Sequence, residues 1–208
     1  MSAAAAITSS PLATGNGVAA FHQSASAVDY RRAVAGMNTA NTSNSVYMSF
    51  WLRVDGITTI GASLDATMMT WNSTTVFPAR VMLGAPSNTT HFDLGVSVSG
   101  NINPTTATTT INLNVGQPYF VVMANNFNPG AADDTATLWI NPSEGQASPP
   151  APLVTSGTGT DGAAPTDIAI RQGSNQRMTF SIDEIRVGNA WTDVTFTGTA
   201  RVEDWSTY

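Results

Sequence analysis

The chain is expected to fold as an all-β protein, a two-sheet antiparallel jelly-roll β-sandwich, and three observations lead there. Apolar and polar residues alternate with period two along much of the 208 residues, and no stretch keeps a helical period for three turns. Clusters of Gly, Pro, Asn and Asp cut the alternating runs into short segments. At least eight such segments occur, more than one sheet usually carries, and at a length that a single sandwich domain commonly reaches.

The clearest strand is 46–54. Val46, Met48, Phe50, Leu52 and Val54 face one way, and Tyr47, Ser49, Trp51 and Arg53 the other. Further strands are expected at 77–83, 92–98, 108–113, 119–124, 135–140, 167–170 and 180–187. Turn formers such as Asp55-Gly56, Asn128-Pro129-Gly130 and Asn141-Pro142 separate them. In the last strand the apolar phase runs through Phe180 and Ile182 and restarts at Ile185 and Val187, so one residue is inserted and a β-bulge is expected at Asp183-Glu184. Phe50, Leu52, Val121, Leu138, Ile182 and Ile185 are expected in the core. Residues 143–166, rich in Pro, Gly, Ser and Ala, read as a long surface loop. The chain divides into an arm and first strand (1–40), a jelly-roll body (41–195) and a tail (196–208), one domain in all.

Composition narrows the function. Charged residues make up 11% of the chain, and all eight basic residues are Arg. Fourteen acidic residues leave a net charge of −6, which disfavours nucleic acid and anionic membranes as partners. No apolar run reaches the roughly 20 residues that span a bilayer, so no membrane insertion is expected. The absence of cysteine excludes disulfides and thiolate metal sites. The start of the chain has neither a basic nor an apolar leader region, so no export signal is expected in it.

Three segments carry a family resemblance: Val46-Tyr47-Met48-Ser49-Phe50-Trp51-Leu52, then Tyr119 to Val122 running on through Asp133-Asp134-Thr135 to Leu138-Trp139-Ile140-Asn141-Pro142, then Ser181-Ile182-Asp183-Glu184-Ile185-Arg186-Val187-Gly188. Over about residues 45–195 the chain resembles a laminin-G-like domain of the concanavalin A-like lectin/glucanase superfamily, of the kind found in bacterial surface and exported proteins. The resemblance implies a jelly roll of two antiparallel sheets with glycan or protein ligands, and calcium at a loop rim in many members. Hydrolases of the superfamily carry a Glu-x-Asp-x-x-Glu strand motif; the glutamates here are Glu144, Glu184 and Glu203, without that spacing.

No catalytic residue is therefore expected. A retaining glycosidase needs two carboxyl groups about 5 Å apart, whereas adjacent Asp183 and Glu184 would point to opposite faces and are better read as partners of Arg186 or of a backbone N–H. His22 and His91 are the only histidines and neither adjoins a nucleophile motif. The candidate ligand-binding residues are Trp51 and Trp139, as aromatic platforms opposite the core set, with Arg53, His91 and Asp93. The Asn- and Asp-rich loop 125–134 offers Asn125, Asn128, Asp133 and Asp134 as oxygen donors for Ca²⁺, although such residues also dominate plain turns. Ile7, Leu12, Trp205 and Tyr208 are the candidate assembly contacts. The arm by itself can bury little apolar area, so neighbouring copies are expected to order both ends, the competing account being that both ends pack onto their own domain over the outer face of one sheet.

The expectation that follows is a non-catalytic structural or adhesive module, not an enzyme, which self-assembles as a homo-oligomer or docks on a larger assembly such as a surface layer, filament or virion decoration. The alternative is a carbohydrate-binding module for a polysaccharide, and a glycan hydrolase is the remotest. Either way the chain is expected outside the cell or on its surface, or on a virion.

Overall fold

The protein is described by a computed structural model, which covers residues 19–21, 28–34, 36–37, 44–59, 61–71, 77–85, 88–98, 113–172 and 178–195. The strands are β1 (Ala19–Phe21), β2 (Val28–Ala33), β3 (Asn44–Ile57), β4 (Gly61–Trp71), β5 (Ala79–Ala85), β6 (His91–Val98), β7 (Leu113–Asn114), β8 (Pro118–Phe127), β9 (Thr135–Ile140), β10 (Val154–Thr155), β11 (Asp167–Gln172) and β12 (Met178–Gly188), with a single turn of helix, α1 (Trp191–Val194). They form two six-stranded sheets, ordered β1-β12-β3-β8-β9-β10 and β2-β11-β4-β5-β6-β7. Neighbouring strands pair antiparallel throughout, and the fold is a two-sheet jelly-roll sandwich, as expected.

Period-two alternation explains the core. Met48, Phe50, Leu52 and Val54 of β3, Val121 and Met123 of β8 and Leu138 of β9 point from the first sheet into the interior. Val81 and Leu83 of β5, Phe92, Leu94 and Val96 of β6, and Ile168 and Ile170 of β11 meet them from the second sheet. Phe50, Leu52, Val121, Leu138 and Ile182 are all at most 1% exposed. Ile185 packs against this core while only partly buried.

The bulge in β12 lies where the phase change places it. Asp183 pairs with Trp51 and Arg186 with Ser49, so three steps along β12 match two along β3. Glu184 takes up the extra residue in the left-handed region at φ +49°. Its carboxylate meets Arg186 at 3.0 Å, and its N–H donates to Asp183 Oδ1 at 2.7 Å.

Several expectations change. Residues 143–166 are not simply a loop, because β10 pairs with β9 and Gly159 bridges to Asp134. Among the described residues before 41, β1 and β2 join different sheets. β4 escapes the pattern entirely, since register shifts between Gly61 and Asp65 and between Ala66 and Met68 break its alternation. Residues 108–112 of one expected strand lie outside the described residues, as do the assembly candidates Ile7, Leu12, Trp205 and Tyr208.

Candidate functional site

Each sheet of a sandwich has one face in the core and one outside, and the two outer faces differ here. On the first sheet a second apolar layer forms: Trp51, Phe120, Val122, Ala124 and Trp139 pack with Trp191 and Val194 of α1, and Tyr47 closes the edge. Trp139 and Trp191 meet edge to face with centroids 5.1 Å apart, and Trp51 lies 5.5 Å from Phe120. Trp139 Nε1 donates to the Pro150 carbonyl at 2.9 Å, and Ser49 Oγ ties β3 to the Val194 carbonyl at 2.8 Å. Trp51 is 4% exposed and Trp139 6%. Neither ring has a face free to stack on a sugar, and the reading of both as ligand platforms is corrected accordingly: they leave the core only to enter a second packed layer.

The other proposed ligand residues do not join them. Arg53 stays on the first sheet, where Nε meets Asp55 Oδ1 at 2.5 Å, and Asp55 also accepts from Ser181. His91 and Asp93 are on β6, whose neighbours Phe92 and Leu94 are in the core, so they occupy the outer face of the second sheet. The five candidates are thus divided between opposite sides of the sandwich and cannot form one site. His91 is committed to the preceding turn, with Nδ1 2.9 Å from Thr90 Oγ1 and 3.1 Å from Asn88 Oδ1. Burial raises the Asp93 pKa above its ordinary value.

The outer face of the second sheet carries further groups that sequence reasoning missed. Arg80 and Met82 alternate with the core residues Ala79, Val81 and Leu83 on β5, and Ser97 alternates with Val96 and Val98 on β6. Arg80 and Ser97 are directly opposite one another across the β5–β6 ladder, as are Met82 and Gly95. Arg80 is 7% exposed and Ser97 2%. Arg80 Nη2 donates to the Val98 carbonyl at 3.4 Å, but its Nε and the Ser97 hydroxyl have no hydrogen-bond partner. The guanidinium carbons of Arg80 and Arg171 lie 5.6 and 5.9 Å from the centroid of the Phe77 ring. Burial, and then repulsion by Arg171, push the Arg80 pKa down. The sequence signal was available only as an Arg inside an otherwise apolar strand, Ala79-Arg80-Val81-Met82-Leu83.

The acidic loop is also regrouped. Asp133, Asp134 and Asp161 bring one carboxylate oxygen each within 4.8 Å of one another. Asp134 is buried, and its two oxygens accept from the N–H groups of Asn128 and Gly162 at 2.9 and 2.8 Å. Asp161 Oδ1 accepts from the Asp133 N–H, and Asp133 Oδ2 from that of Gly130. Asp133 Oδ1 is buried without a partner. Two of the sequence-predicted ligands drop out. Asn128 spends its amide as a donor to the Asp133 carbonyl, and Asn125, wholly buried, lies within β8 instead of the loop. Asp161 was missed because it comes from a segment 28 residues away. As hard oxygen donors the three carboxylates fit Ca²⁺, which takes six to eight such ligands.

No protein-family model matches the sequence, and no curated protein matches it. Among solved structures the chain is similar to a marine family 7 polysaccharide lyase, an alginate lyase from Zobellia galactanivorans, at 12% identity and a TM-score of 0.45. That alignment covers 72% of this chain and 64% of the lyase, so the chain spans less than two thirds of that enzyme. A family 18 polysaccharide lyase matches at 10% identity and a TM-score of 0.45, covering 83% of this chain and 88% of that one. The cellulose-induced protein Cip1 matches at 12% and 0.42, over 83% and 90%. These are concanavalin A-like jelly rolls, and the likeness concerns the fold; it does not extend to the laminin-G-like type in particular.

The lyases overturn one expectation, that the chain is not an enzyme. That inference rested on the missing carboxylate pair of glycoside hydrolysis. A lyase cleaves without water and falls outside the test. No helix among the described residues is long and apolar enough to cross a membrane.

Proposed function

We propose that the chain binds a polysaccharide along the outer face of its second sheet, with residues 41–195 as the binding body. The observation that carries this is the contrast between the two outer faces. Aromatic packing and α1 fill the first, whereas the second carries the partly exposed His91, Asp93, Phe77 and Arg171 together with the buried polar pair Arg80 and Ser97, and both guanidinium groups lie against the Phe77 ring. Cations, hydroxyls and a carboxylate on one sheet face suit hydroxyl-rich ligands. A polymer of this kind places the protein outside the cell or at its surface. Affinity electrophoresis through gels containing alginate, pectate, cellulose derivatives or neutral β-glucan tests the reading. Retardation by at least one polymer is expected, and equal mobility in all of them rules it out. Ultraviolet absorbance of unsaturated sugar ends, followed in the same mixtures, reads cleavage.

A second reading concerns Ca²⁺ at Asp133, Asp134 and Asp161, favoured by the buried, unpartnered Asp133 Oδ1. Calcium is expected to raise the Tm of the chelator-treated protein and not that of Asp161→Asn; identical melts with calcium and with chelator exclude it. Assembly through the arm and tail rests on residues outside the described ones, and light scattering before and after deletion of residues 1–18 tests it. Unchanged particle size would reject that reading.

A further inference from the structure

We infer that Arg80, Ser97 and Arg171 form a receptor for one oxyanion, a carboxylate or sulfate group projecting from a polysaccharide; the polymer part of this inference rests on the reading above. Arg80 and Ser97 occupy opposed positions on adjacent strands, where side chains start about 5 Å apart on one face. Both are more than nine-tenths buried, and Arg80 Nε and Ser97 Oγ lack partners. Arg80 has no carboxylate partner among the described residues, and its one hydrogen bond is long at 3.4 Å.

A buried guanidinium with no carboxylate partner among the described residues is costly, and Arg80 shares the Phe77 ring with Arg171. Water could satisfy Nε and Oγ but would leave the charge unbalanced. An oxyanion does both. The planar fork of Arg80 offers Nε–H and Nη–H in parallel to two oxygens, the Ser97 hydroxyl is a third donor, and Arg171 adds charge from beside Phe77. The depth of the site selects a group that projects from its carrier. A nucleic-acid backbone would need a track of cations, whereas this is one corner of a chain with net charge −6. The same net charge denies the site long-range steering, so its selectivity has to come from contact.

The test compares polymannuronate, a sulfated galactan and a neutral glucan, together with free glucuronate and inorganic sulfate, by calorimetry and thermal melting. Wild type is expected to bind an acidic polymer in preference to the neutral one, and Arg80→Met to weaken that binding about tenfold or more, as loss of hydrogen bonds to a charged group does. Arg80→Lys, which keeps the charge and loses the fork, should fall between, and Ser97→Ala should cost less than Arg80→Met. Without ligand, Arg80→Met is expected to melt no lower than wild type, because it removes an unbalanced charge. A merely structural arginine would give the opposite: a lower Tm with affinities unchanged, which overturns the inference. Equal affinity for acidic and neutral polymers overturns the anion site while leaving polysaccharide binding intact. Binding of glucuronate or sulfate that Arg80→Met abolishes, with no polymer bound, upholds the anion site and rejects the polysaccharide. No binding of any probe rejects both.

Discussion

Replacing Glu184 by glycine should leave a more stable protein than replacing it by alanine, the reverse of the order at an ordinary strand position. Glu184 is the extra residue of the β12 bulge, and its φ of +49° is in the left-handed region. A side chain with a Cβ is held there at a cost of roughly 1–2 kcal/mol, which glycine escapes. Against this, glycine loses more backbone freedom on folding, and in a regular strand it is worse than alanine by roughly 0.5–1 kcal/mol. Both variants lose the 3.0 Å ion pair with Arg186, so that term cancels in the comparison. The balance favours glycine by about 0.5–1 kcal/mol. Urea unfolding of the two variants side by side, with equal m-values, measures it. Alanine equal to or above glycine would refute the argument, because a regular β12 without a left-handed residue would then be the better description.

Leu138 is wholly buried between the sheets, and Leu138→Ala should cost about 2–5 kcal/mol in urea unfolding; a loss below 0.5 kcal/mol, within the range of surface changes, contradicts its place in the core. Asp93 has its pKa raised from 3.8 by burial, so the folded state holds the proton more tightly than the unfolded chain. Its contribution is most favourable below 3.8 and is lost as pH rises through the raised folded value. Relative to Asp93→Asn, wild type should therefore lose Tm as pH rises from about 4. A constant difference across that window speaks against burial of the carboxyl group.

Much of the sandwich was legible because burial on one face imposes period two. The inward sets of β3, β8, β9 and β12 follow from alternation, and even the bulge at Asp183-Glu184 follows from one misplaced step in it. β4 was illegible for the same reason. Its register shifts, between Gly61 and Asp65 and between Ala66 and Met68, change the phase within one strand, and the pattern dissolves. β1, β2 and β10 are short or polar edge strands whose pairing depends on partners far along the chain.

The candidate site divides along the same line. Alternation determines that Trp51, Trp139, Arg80, Asp93 and Ser97 leave the core, because each faces away from an apolar set. What happens to a residue outside the core is not encoded in its own strand. Only the return of α1 and the segment around Pro150 across the first sheet makes Trp51 and Trp139 packing residues. Only the β5–β6 register places Arg80 against Ser97, and only the bridge from Asp134 to Gly159 brings Asp161 to Asp133. Period two is a local property of a pleated chain, set by which way each Cβ points. Sites join side chains from distant strands, and their meeting depends on register and on what covers each face, which the tertiary structure alone decides.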